Sequence, residues 1–109
     1  MSSQGAYSTK APVVDSVLET LSNTVRREAI RYFEDSVNGD AAHIAELATH
    51  ISHRIPSKSH EQLKTELHHQ HLPRLDEKNW LAYDQRQGNI RYYGNERAEY
   101  IIEEVQAIF

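Results

Sequence analysis

A chain of 109 residues with 39% hydrophobic residues, four glycines and three prolines fits one domain with a modest core and leaves no tract for an internal repeat. The absence of cysteine excludes disulfides, thiolate metal sites and thiol redox chemistry, and no apolar run approaches the length of a membrane span. The net charge of −4 argues against a strongly basic nucleic-acid binder, although the placement of charge matters more than its sum.

Residues 1–12 are small and polar and lack the apolar centre of a signal peptide, so a flexible tail and a cytoplasmic protein are expected. Residues 13–21 put Val14, Val17, Leu18 and Leu21 on one helical face. Ser22 and Asn23 offer N-cap oxygens for a second helix. That helix is predicted to run to about Ser36, with Ala29, Ile30, Phe33 and Val37 on its apolar face and Arg26, Arg27 and Arg31 elsewhere. Asn38-Gly39-Asp40 is the stop, since asparagine and glycine accept a left-handed backbone.

A short core-facing helix follows over Ala42 to Arg54, with Ile44, Leu47, Ala48, Ile51 and Ile55 at three- and four-residue steps and Pro56 closing it. Ser59 is a good N-cap, with Gln62 three residues on as in a capping box. In the helix it opens, Leu63, Leu67, His71, Leu72 and Leu75 share one arc. Ser59, Gln62, Thr65, Glu66, His69 and Gln70 share the opposite one. Pro73 lacks an amide hydrogen and collides with the carbonyl four residues earlier, which predicts a kink near His69. Asn79 is a candidate left-handed stop.

Ala82–Asp84 and Ile90–Tyr93 read as the strands of a hairpin whose turn is residues 85–89. Gly94-Asn95 breaks the second strand, and Asn95 can cap a last helix. There Ala98, Ile101, Ile102, Val105 and Ile108 form an apolar stripe with glutamates opposite. The expected architecture is mainly α with a small β-hairpin: a winged helix-turn-helix over residues 13–94, with extra helices at both ends and a dimerisation helix over 95–109.

Three stretches carry a resemblance. His71-Leu-Pro-Arg-Leu-Asp-Glu-Lys-Asn-Trp-Leu81 resembles the end of the recognition helix in winged-helix repressors of the ArsR type, and Leu21–Ile30 and Ile44–Ala48 resemble the first two helices of that architecture. The phrasing His69-Gln-His71-Leu-Pro73 with Leu75-Asp-Glu is similar to small winged-helix proteins of halophilic archaea, presumed transcription regulators. The likeness covers about residues 13–93. It departs from the pattern in the long stretch from Arg54 to Ser59 and in Asn79, where glycine is usual. At high salt counterion release contributes little, so a weakly charged DNA surface is physically sensible in such a setting.

The residues themselves support several chemistries unequally. The arc of Ser59, Gln62, Thr65, His69 and Gln70 carries donors and acceptors for base edges, and Glu66 can accept from a cytosine amine. Lys58 is placed to meet a phosphate, and the hairpin residues Arg86, Gln87 and Arg91 to enter a minor groove or hold backbone. The bland alternative for this face is ordinary solvation. All seven histidines lie between His43 and His71, and His50/His53 and His68/His71 share helical faces at a spacing metals use. No cysteine completes a site, and His71 fits better as a hydrogen-bonded core residue.

No nucleophile elbow, phosphate loop or His-Glu-x-x-His pattern is present, so no enzyme, metal, cofactor or small-molecule substrate is expected. Val14 and Leu18 with Ala98, Ile101, Ile102, Val105 and Ile108 are the expected interface of a homodimer. The resulting expectation is a homodimeric, duplex-DNA-binding transcription regulator. The competing one is a winged-helix protein-interaction module without DNA binding.

Overall fold

The computed structural model describes residues 12–35 and 39–108, with the backbone alone for 105–108. Helix α1 covers residues 12–20, so the only described residue of the expected tail, Pro12, is helical. The expectations for residues 1–11, Ser36, Val37, Asn38 and the side chains of Val105 and Ile108 lie outside the described residues. Half of the expected face of α1 turns inward: Val17 and Leu21 are buried, whereas Val14 and Leu18 are exposed.

Helix α2 spans Thr24–Glu34, and Asn23 starts it by accepting from the amides of Val25 at 2.8 Å and Arg26 at 3.2 Å. Its buried face includes Val25, Ala29, Ile30 and Phe33. It also includes Arg26, which the apolar pattern places off the face. The guanidinium is tolerated there because it has acceptors: Nε donates to the Thr20 carbonyl at 2.6 Å and Nη2 to that of Glu19 at 3.3 Å.

Strand β1, Ala41–His43, takes the place of the predicted first turn of the next helix. It pairs antiparallel with β3, aligning Ala41 with Arg91, Ala42 with Ile90 and His43 with Asn89. Helix α3 is therefore Ile44–Arg54, two residues shorter at its start than expected, with Ile44, Leu47, Ala48 and Ile51 buried.

One rod follows in three pieces: α4 (His60–Glu66), a π-helical turn (Leu67–His71) and α5 (Leu72–Glu77). The π turn sits where the kink was expected. The Leu72 amide donates to the Leu67 carbonyl five residues back, so the residues before Pro73 absorb one extra position per turn instead of breaking. The rod ends in a Schellman motif. Asn79 has φ +63°, its amide donates to the Asp76 carbonyl, and the Trp80 amide donates to that of Leu75. Buried Trp80 and Leu75 supply the apolar contact that accompanies such a cap.

Strands β2 (Leu81–Tyr83) and β3 (Asn89–Tyr92) form the hairpin, one residue earlier than predicted at each start, and the sheet order is β1-β3-β2. Helix α6, Glu96–Ile108, is capped as expected, with the Ala98 amide donating to Asn95 Oδ1 at 3.0 Å. The architecture is thus mostly helical with a small three-stranded antiparallel sheet. The core gathers Ile30, Leu47, Ile51, Leu63, Leu67, Leu72, Leu75 and Leu81, all fully buried. Among the described residues no helix is long and apolar enough to cross a membrane.

Candidate nucleic-acid interface

Leu63 and Leu67 pull one side of the rod into the core, and this sets the opposite side by periodicity. Ser59, Gln62, Thr65, His69 and Gln70 are all exposed there. Ser59 has a second task, since its hydroxyl accepts from the Gln62 amide at 3.1 Å and starts α4. Glu66 and Lys58 differ from the rest of the expected set. Lys58 Nζ lies 2.7 and 3.0 Å from the two Glu66 carboxylate oxygens, and both side chains are half-buried. The lysine placed to meet a phosphate is already neutralised from within the chain.

The π turn decides which histidine faces where. His69 is exposed, whereas His71 is 1% exposed and its Nδ1 lies 3.2 Å from Arg26 Nη1. An arginine can only donate, so Nδ1 accepts and the ring is neutral. Burial first, and the Arg26 charge second, hold the His71 pKa down to about 4. His68 turns toward the hairpin, its Nδ1 sharing a 2.6 Å hydrogen bond with Tyr83 Oη. The histidine pairs therefore split between tasks; His50 packs edge-on against Tyr32 at 4.9 Å between ring centres. Among the described residues no group of three or more His, Cys, Asp or Glu could hold a metal ion.

The hairpin is tied to the rod by Asp76, whose Oδ2 accepts from the Tyr83 amide at 2.8 Å. At the tip, Asp84 Oδ1 accepts from the amides of Arg86 at 3.0 Å and Gln87 at 3.3 Å, which leaves both side chains exposed. Gly88 closes the turn at φ +80°, and a Cβ there would sit 2.8 Å from His43 Nε2 and 2.9 Å from Ile44 Cγ2. Gly88→Ala is expected to lose about 2 kcal/mol of unfolding free energy, since the strained backbone and the clash add. An unchanged urea midpoint would refute that.

Arg91 is exposed on β3 between Ala41 and Ala82, but its shallow groove also holds Asp40, Asp76 and Asp84. Its charge is locally outnumbered, which makes Arg86 the better cation of the hairpin. Rod and hairpin meet in a polar cleft of about 590 Å³ lined by His69, Gln70, Arg74, Asp76, Tyr83 and Gln85, among others. The exposed arc and the hairpin thus border one another. Arg74 and the cleft's acids were not among the expected residues; no spacing rule joins an amphipathic helix to a strand that follows it.

The expected dimer surface needs correction. Ala98 and Ile102 are buried in the chain's own core, α6 packing against α2, and so offer no area to a second copy. An apolar stripe reports burial without saying against what. What stays exposed is Val13, Val14 and Leu18 on α1 and Tyr100 on α6, beside partly buried Ile101. Val14, Tyr100 and Ile101 line an almost wholly apolar groove with Glu96 and Arg97.

The chain belongs to a family described as a domain of unknown function (DUF7344), whose model matches residues 18–91. No curated protein and no solved structure matches the chain. The matched span opens in α1 and closes in β3, so it takes in the rod and the hairpin and leaves α6 outside.

Proposed function

We propose that this DUF7344 chain is a winged helix-turn-helix protein that binds duplex DNA as a homodimeric transcription regulator. The observation that carries the reading is the junction of an exposed polar arc (Ser59, Gln62, Thr65, His69, Gln70) with an exposed, arginine-tipped hairpin across one cleft. The element order α2-β1-α3-α4-β2-β3 with sheet order β1-β3-β2 supports it, because that arrangement sets a helix and a wing side by side. The rod would enter a major groove and read base edges through its glutamines and Thr65, while Arg86 would hold the backbone or an adjacent minor groove. The exposed apolar residues of α1 and α6 are the surface on which two copies would meet, giving two half-sites about one helical turn apart.

The test is fluorescence anisotropy of the full chain on labelled random-sequence and promoter duplexes from low to molar salt. Binding that weakens with salt on every duplex, with some promoters held more tightly, is the expected result. Arg86→Ala should lower affinity about fivefold at low salt and flatten the slope of log K against log salt by about 0.9, one phosphate contact. Absence of binding at every salt concentration would sink the reading. The acidic groove around Arg91 would then favour the protein-interaction module instead. Sedimentation at micromolar concentration checks the dimer, and a single-chain mass would refute it.

A further inference from the structure

His43 is the last residue of β1 and the N-cap of α3, and its ring does two things at once. Nδ1 accepts from the Ala45 amide at 3.1 Å, satisfying a helix-end donor. A nitrogen that accepts carries no proton, so in the neutral ring the hydrogen sits on Nε2. Nε2 lies 2.8 Å from the Gln87 carbonyl and donates to it. One imidazole therefore bridges the N-terminus of α3 and the tip of the hairpin, 44 residues away in sequence.

The peptide units around Arg86 are consequently held from two sides. Asp84 takes the amides of Arg86 and Gln87 from within the turn, and His43 takes the carbonyl of Gln87 from the body of the protein. The next residue is clamped too, because the Ile44 amide donates to the Gly88 carbonyl at 2.8 Å. A two-stranded hairpin alone is marginal in water, so the direction of its tip depends on such ties to the body. The tie cannot be read as mere capping. Serine, threonine, aspartate or asparagine would cap α3 as well, but only a longer side chain with a donor at its far end reaches Gln87.

We propose that His43 is a positioning residue that aims the Arg86 tip of the hairpin at the nucleic-acid backbone. The proposal rests on the duplex-DNA reading above and adds to it a residue outside the rod and the hairpin. Arg86 is the group that would touch phosphate; His43 acts through it by fixing the peptide beside it.

His43→Asn separates the two tasks of the ring. The asparagine oxygen keeps the cap on Ala45, while the side chain stops short of Gln87. The expected result is a melting temperature close to wild type, with faster amide hydrogen exchange at residues 85–88 and unchanged exchange in α3. Duplex affinity should fall several-fold at low salt, and the salt slope should flatten by about 0.9, as for Arg86→Ala. The double variant should bind no worse than Arg86→Ala alone, because both changes remove the same contact. A merely structural role would leave the salt slope where it was. His43→Asn that binds with wild-type slope, or losses that add fully in the double variant, would overturn the proposal. The two failures are separable. A wild type that binds no duplex removes the DNA reading and the role of His43 with it. A wild type that binds and responds to Arg86→Ala but not to His43→Asn removes the role of His43 alone.

Discussion

Arg26→Met should destabilise the fold by about 3 kcal/mol, since three neutral acceptors lose the donor they share at about 1 kcal/mol or more each. Methionine keeps the apolar stem of the side chain but donates nothing. The Thr20 and Glu19 carbonyls and His71 Nδ1 would all lose the guanidinium they accept from. The first two belong to the last turn of α1 and the third to the π turn of the rod, so one group on α2 pins three segments of chain together. Arg26→Lys should rescue little, since a single ammonium cannot reproduce a fork aimed at three acceptors. For a domain of this size the loss corresponds to a melting temperature lower by more than about 10 °C. A fall of only a degree or two would show that water takes over those acceptors and that the arginine is incidental.

The same network sets an acid limit. His71 is held neutral in the fold down to a pKa of about 4, against 6.5 for a free imidazole. As pH falls below 6.5 the unfolded chain takes up a proton that the folded chain refuses. Stability is therefore complete above that pH and is lost progressively toward pH 4. By pH 5 the loss should be about 2 kcal/mol. Arg26→Met removes the second cause of the depression and leaves the first, burial, so its own loss between pH 7 and 5 should be smaller than that of wild type. Urea midpoints at the two pH values decide this, and equal losses would mean that burial acts alone.

Arg26 also marks the limit of what could be read from the chain. Helices are legible where an apolar period meets an oxygen-bearing cap, as at Asn23, Ser59 and Asn95, and where Asn79 takes the left-handed conformation its short polar side chain tolerates. Pro73 announced a distortion near His69 and the rod shows one, although a missing amide does not say whether the helix will bend or widen into a π turn. Strand β1 carried no such sign. Ala-Ala-His is too short for an alternating pattern and has no β-branched residue, and it is extended because β3, nearly 50 residues later, supplies its partners. The burial of Arg26 and of Ala98 has the same origin. A pattern along one helix reports which side avoids water, whereas the groups that meet that side come from elsewhere in the chain.

Glu66→Gln, made at the centre of the candidate interface, should strengthen duplex binding about tenfold at low salt and steepen the salt slope by about 0.9. The carboxylate now occupies Lys58 Nζ with both oxygens, at 2.7 and 3.0 Å, in the position a phosphate would take. Because the pair is partly open to water, losing it should cost less than about 1 kcal/mol of stability, so any gain in binding is not a by-product of refolding. Two mechanisms could produce the gain, and they differ in one measurement. If Glu66 competes with phosphate for Lys58, the substitution should do little in a Lys58→Ala background. If Glu66 simply repels the duplex, the gain should persist undiminished there. A third outcome would reverse the assignment altogether. Weaker binding confined to sites with a cytosine at one position would make the carboxylate a base-reading group that accepts from the cytosine amine, with Lys58 holding it in place for that purpose.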